Sequence, residues 1–208
     1  MSASLTRSQL LARGARGGAS LLIGGSALGA LAVPAEGAPP AGALGPLGGA
    51  DLAYARLFVA LELLLIDFYT HAVAARHLSA GALAGARLAL INESEHYAFL
   101  AYAFRSAGLT PLTAADVDFS YPAGSYYSAS SLTKLAVALE TLALGAYLGS
   151  AGVVANPVLQ SAIAQITANE AQHLSACSAR AELPAFHDAF PPSLTIAEAS
   201  NALDAYAT

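Results

Sequence analysis

The sequence predicts an all-α protein: a four-helix bundle of two antiparallel helix pairs joined by a long crossover, followed by a short C-terminal helix. Three observations predict it. Four apolar stretches of helical length are punctuated by helix-start and helix-stop residues. One short pattern occurs twice: Val59-Ala60-Leu61-Glu62 precedes Asn92-Glu93-Ser94-Glu95-His96, and Val137-Ala138-Leu139-Glu140 precedes Asn169-Glu170-Ala171-Gln172-His173. Between the two copies lies a segment too long for a hairpin turn. The lone and second glutamates are 31 apart in the first copy (93 − 62) and 30 in the second (170 − 140). A tyrosine seven residues after each lone glutamate, Tyr69 and Tyr147, completes an internal duplication.

Composition narrows the class. A chain of 208 residues is one domain with appendages, and 56% apolar against 11% charged residues favours packed helices. Net charge −5 and the absence of a basic stripe exclude a nucleic-acid partner. A single cysteine, Cys177, rules out an intrachain disulfide framework and reads as a small core residue one turn beyond His173.

In chain order, residues 1–38 read as an export signal. Arg7, Arg13 and Arg16 precede the uncharged apolar run Gly18–Ala32, with small residues at Ala30-Leu31-Ala32 or Val33-Pro34-Ala35 for cleavage. Thr6-Arg7-Ser8-Gln9-Leu10-Leu11 resembles a twin-arginine motif, with Ser8 in place of the second arginine. The expected location is the periplasm, cell envelope or extracellular space, with membrane attachment only if the segment is retained. Residues 39–50 read as a Pro/Gly/Ala linker, 51–181 as the bundle and 182–208 as a tail.

Within the bundle, the first helix is expected from Asp51, as its N-cap, to about Leu78. Its centre is apolar almost all round, which calls for burial on more than one side and suggests a homodimer. The second spans roughly 81–107 and stops at Gly108. Residues 109–130 form the crossover: 22 residues reach roughly 70 Å when extended, and a 27-residue helix is only about 40 Å long. The third helix runs from about Ser131 to Leu148, ending at Gly149. The fourth runs from Pro157, capped by Asn156, to about Ala181. Thr195-x-x-Glu198 is a capping box opening the last short helix, to about Tyr206.

The chemistry lies in the repeat. Residues i and i+3 share a helix face, so Glu93 with His96, and Glu170 with His173, each present a carboxylate and an imidazole together. If Glu62 is level with the Glu93–His96 pair, the hairpin turns near residue 78; for Glu140 and Glu170–His173 it turns near 156, at Asn156-Pro157. Both positions read as breaks. An unpaired buried carboxylate is costly, and two duplicated ones with partners are better explained as ligands. Glu62, Glu93, His96, Glu140, Glu170 and His173 are therefore the candidate metal ligands, a donor set suited to two first-row transition ions. Asn92 and Asn169, one turn before the histidines, and Tyr69 and Tyr147, on the stripe of the lone glutamates, are candidate supports behind them. Glu95 and Asp67 fall off these faces, and His71, His77 and His187 match no ligand spacing.

With those six residues on four helices, the chain resembles the ferritin-like superfamily of di-iron carboxylate proteins over about residues 51–181. The signal-like start and Ala-rich bundle look like the exported bacterial group related to desiccation-related proteins. The resemblance implies two iron ions, with manganese as the alternative, and oxygen, peroxide or Fe(II) as small-molecule partners. It leaves three activities open: ferroxidase-like or peroxide-reactive chemistry, manganese catalase-like chemistry, and a non-enzymatic protective or metal-stabilised role. No catalytic residue is singled out. No rubredoxin-type cysteine cluster supplies an electron relay.

Overall fold

The computed structural model describes residues 44–185 and 189–208; the export-signal reading of residues 1–38 and His187 lie outside them. Its helices are α1 (Gly49–Ala74), α2 (Ala80–Ser106), α3 (Ala129–Ser150), α4 (Pro157–Arg180) and α5 (Ile196–Asp204). The first four form two hairpins, α1 with α2 and α3 with α4, and α5 lies across α1 and α3.

Most helix starts are set by side chains that the sequence supplies on the spot. Asn156 accepts from the amides of Val158 and Leu159 with Pro157 at the first helical position, and Ser128 and Thr195 open α3 and α5 through capping boxes. Gly108 takes the left-handed conformation (φ +73°) that ends α2. Two expectations are corrected. α1 begins at Gly49 behind Gly48, so Asp51 is no N-cap; its carboxylate instead accepts from Ala155 (2.7 Å) and Asn156 (3.1 Å), the turn that opens α4. α3 also does not stop at Gly149 but runs through it to Ser150.

Those Asp51 contacts fix direction. The start of α1 sits beside the α3–α4 turn, and Tyr54 Oη donates to the Gly149 carbonyl at 3.1 Å. α1 and α4 therefore begin at one end of the bundle, and α2 and α3 at the other. Parallel α2 and α3 require the crossover to travel the bundle's length, as its span allows. It is tied down on the way: Tyr97 Oη donates to Leu112 O (2.8 Å), and Tyr121 Oη to Asp67 (2.8 Å) and Leu64 O (3.1 Å).

The all-round apolar α1 is thus covered by its own chain. Leu57, Phe58, Leu61, Leu64, Leu65 and Phe68 are all buried, and Tyr121 and Tyr126 of the crossover pack on Phe68. α1 and α3 are long and apolar enough to cross a membrane by composition, but most of each is buried inside the bundle. On α3, Gly145 and Gly149 let the segment before α5 lie directly on the helix. Leu194 N donates to Gly145 O (2.8 Å), and a Cβ at Gly149 would fall on the Leu194 carbonyl.

Candidate metal centre

Each lone glutamate stands in an apolar stretch at mid-helix: Glu62 between Leu61 and Leu63 on α1, Glu140 after Leu139 on α3. Apolar neighbours bury both fully, and Glu93 and Glu170 are equally sealed. The i, i+3 spacing delivers His96 beside Glu93 and His173 beside Glu170, as helix geometry requires. The structure brings all six side chains together at the bundle's centre.

His96 Nδ1 lies 3.1 Å from Glu93 Oε2, 3.1 Å from Glu170 Oε1 and 3.6 Å from Glu62 Oε2. His173 Nδ1 lies 2.8 Å from Glu93 Oε1 and 3.8 Å from both Glu140 Oε1 and Glu170 Oε2. Two overlapping groups follow, one of Glu62, Glu93, His96 and Glu170 and the other of Glu93, Glu140, Glu170 and His173; within each, the donor atoms lie within 4.8 Å of one another. Glu93 and Glu170 belong to both.

These atoms approach without satisfying one another. Oxygens of Glu62, Glu93 and Glu140, both oxygens of Glu170 and His173 Nδ1 are buried without an aligned hydrogen-bond partner. At 2.8 Å, His173 Nδ1 and Glu93 Oε1 are within ion-pair reach but not in hydrogen-bond alignment. Orphaned buried donors and acceptors are expensive, so a cluster of them asks for a cation. Four carboxylates and two imidazoles, in two groups that share Glu93 and Glu170, make a donor set compatible with bound metal.

Protons carry part of that load otherwise. Burial pushes the Glu62 carboxyl up to about 8 against the pull of His96. Burial also raises Glu140, with Glu170 and Glu93 adding to it. Glu170 goes the other way, held down to about 2: burial works to raise it, but His173 and His96 outweigh burial. Burial would lower both imidazoles, yet contacts with Glu170 and Glu93 lift His173 to about 9, and Glu170 and Glu62 lift His96 higher still.

The supporting residues are exchanged between the repeats. Tyr147 Oη donates to Glu62 and Tyr69 Oη to Glu140, so each glutamate is held by the other copy's tyrosine. Burial, and then the adjacent carboxylate, keeps both phenols protonated. The Asn92 amide meets His173 Nε2 at 3.0 Å rather than His96, its own-helix neighbour. With Nδ1 turned to the carboxylates, Nε2 is the nitrogen left for a supporting group, an arrangement that fixes a ligating ring. Asn169 does not mirror this: its side-chain oxygen is buried without a donor.

Other polar residues fall away from the cluster. Glu95 and His77 are exposed, while His71 pairs with Asp67 at 3.3 Å. Cys177 packs against the core one turn beyond His173, as its position in the sequence suggests, with its thiol 3.7 Å from Tyr69 Oη. A search of curated proteins finds no match to the chain, but a family model described as a ferritin-like domain matches residues 50–182.

Proposed function

The chain belongs to the ferritin-like domain family, and on that premise we propose that its six-residue cluster holds two metal ions, iron first and manganese second, reactive toward oxygen or peroxide. The observation that carries this reading is the sharing of Glu93 and Glu170 between both four-ligand groups. Bound there, such a pair supplies two-electron chemistry toward oxygen species. The chain's part is positioning. Glu62 and His96 form one pole, Glu140 and His173 the other, and Glu93 and Glu170 span them. Tyr147 and Tyr69 keep their protons and fix the outer carboxylates. Burial of all four glutamates excludes bulk water. We read the activity as ferroxidase-like or peroxide-consuming, and propose from the signal-like residues 1–38 that the protein is exported and acts protectively under stress.

A second reading has an observation of its own. The cluster joins all four long helices, so bound metal would couple directly to folding, whether or not it reacts. Elemental analysis of the native protein, followed by Fe(II)-plus-oxygen and peroxide turnover, separates the two. Turnover supports the first reading, and a metal-loaded protein inert in every assay supports the second. Glu140→Ala should lower occupancy at least about tenfold while helical circular dichroism persists; unchanged loading sinks both. Export is tested by the intact mass of protein recovered from the cell envelope, which should lack the first 30–40 residues or so. Full-length protein confined to the cytoplasm rejects it.

A further inference from the structure

The duplication provides an internal control on packing. Glu62 and Glu140 are 78 apart (140 − 62), and His96 and His173 are 77 apart (173 − 96). On these offsets Ala136 of α3 corresponds to Phe58 of α1, and Ala82, Ala86 and Ala89 of α2 correspond to Leu159, Ile163 and Ile166 of α4. Phe58 and these three aliphatic residues are buried and fill their end of the bundle, Phe58 stacked on Tyr147 with ring centroids 4.1 Å apart. At the other end the four alanines leave a cavity of about 390 Å³. That volume falls within the range of small-molecule sites, roughly 300–1,000 Å³.

The cavity reaches the metal centre at one pole only. His173 and Asn169 line one end, with Tyr69 and Cys177 alongside. From His173 the wall follows α4 to Arg180, seven residues or about 10 Å away. Apolar side chains make up most of the rest, and no aspartate or glutamate lines it. Apart from the metal-centre residue His173 at its inner end, the cavity has no carboxylate or imidazole to draw in an inorganic cation. Arg180 is exposed and lies over Gly85, where a Cβ would be 2.9 Å from its guanidinium. Its partners are backbone carbonyls, Ala176 O at 2.9 Å and Gly81 O at 3.5 Å; the ion pairs among the described residues all involve histidines.

We propose that this cavity binds an aliphatic monocarboxylate, its chain along the alanine-lined wall toward His173 and its carboxylate on Arg180. Apolar walls match an alkyl chain, and the single cation at the rim matches one anionic head. The inference rests on the metal reading for its significance, because it names what would be presented to that site, but binding itself needs no metal.

The test is calorimetric titration of the full chain with dodecanoate and, separately, dodecanol, metal-free and metal-loaded, below the micellar range. Wild type should bind one dodecanoate per chain in both states. Arg180→Gln should weaken dodecanoate about tenfold and leave dodecanol unchanged. The double variant Ala86→Ile, Ala89→Ile installs the residues found in the other copy; it should abolish binding of both while keeping metal occupancy. Glu62→Ala, at the far pole, should lose metal yet bind dodecanoate normally, so failure of the metal reading shows separately. Absence of saturable binding by wild type overturns the proposal, as does undiminished binding by the isoleucine variant. Equal weakening of acid and alcohol in Arg180→Gln also overturns it.

Discussion

Tyr147 and Glu62 are both sealed from solvent, so the hydrogen bond between them has no aqueous substitute. Tyr147→Phe keeps the ring stacked on Phe58 but leaves a buried carboxylate oxygen without its donor. It should cost about 1–3 kcal/mol in denaturant unfolding of the metal-free protein, and an unchanged midpoint would contradict the assignment. pH acts on the same cluster. Glu62 is raised from 4.5 to about 8 and His173 from 6.5 to about 9, so the folded chain holds protons that the unfolded chain releases. Their stabilisation is complete at low pH and drains away as pH rises, from 4.5 to about 8 for Glu62 and from 6.5 to about 9 for His173. The melting temperature of metal-free protein should therefore fall between pH 6.5 and about 9, and metal uptake in that window should release protons. A flat profile would disprove this. Glu93, His96, Glu170 and His173 were legible because Glu-x-x-His spacing is read within one helix, and Glu62 and Glu140 because each stands alone in a repeated apolar run. The exchange of Tyr69, Tyr147 and Asn92 was not, because spacing along a helix says nothing about which neighbouring helix a side chain meets.

Helices α4 and α5 were legible from their caps, since Asn156-Pro157 and Thr195-x-x-Glu198 act within one turn of themselves. The start of α1 was misread for a nonlocal reason: Asp51 has the chemistry of a cap but spends its carboxylate on the turn before α4. Gly149 misled in a similar way. It looks like a helix terminator, yet its missing side chain makes room for the Leu194 carbonyl. Gly149→Ala should therefore lift the segment before α5 off α3 and destabilise by about 1–3 kcal/mol, read as a lower melting temperature. Wild-type stability in that variant would show that this segment is not held there.

At the scale of the molecule, the bundle and its crossover were visible in the repeat spacing and in the length of residues 109–130. The cavity was not, although its signal was present. Ala82, Ala86, Ala89 and Ala136 are unremarkable in an Ala-rich chain, and only alignment of one repeat on the other shows that bulk is missing. The exchanged tyrosines carry a further consequence. A solitary hairpin of either kind would hold its carboxylates, imidazole and phenol where the phenol could never meet its glutamate. Two hairpins must associate before any such centre exists, so an unduplicated forebear would have had to work as a pair of separate molecules. Within one chain the two ends are free to differ, as Phe58 at one and Ala136 at the corresponding place in the other do.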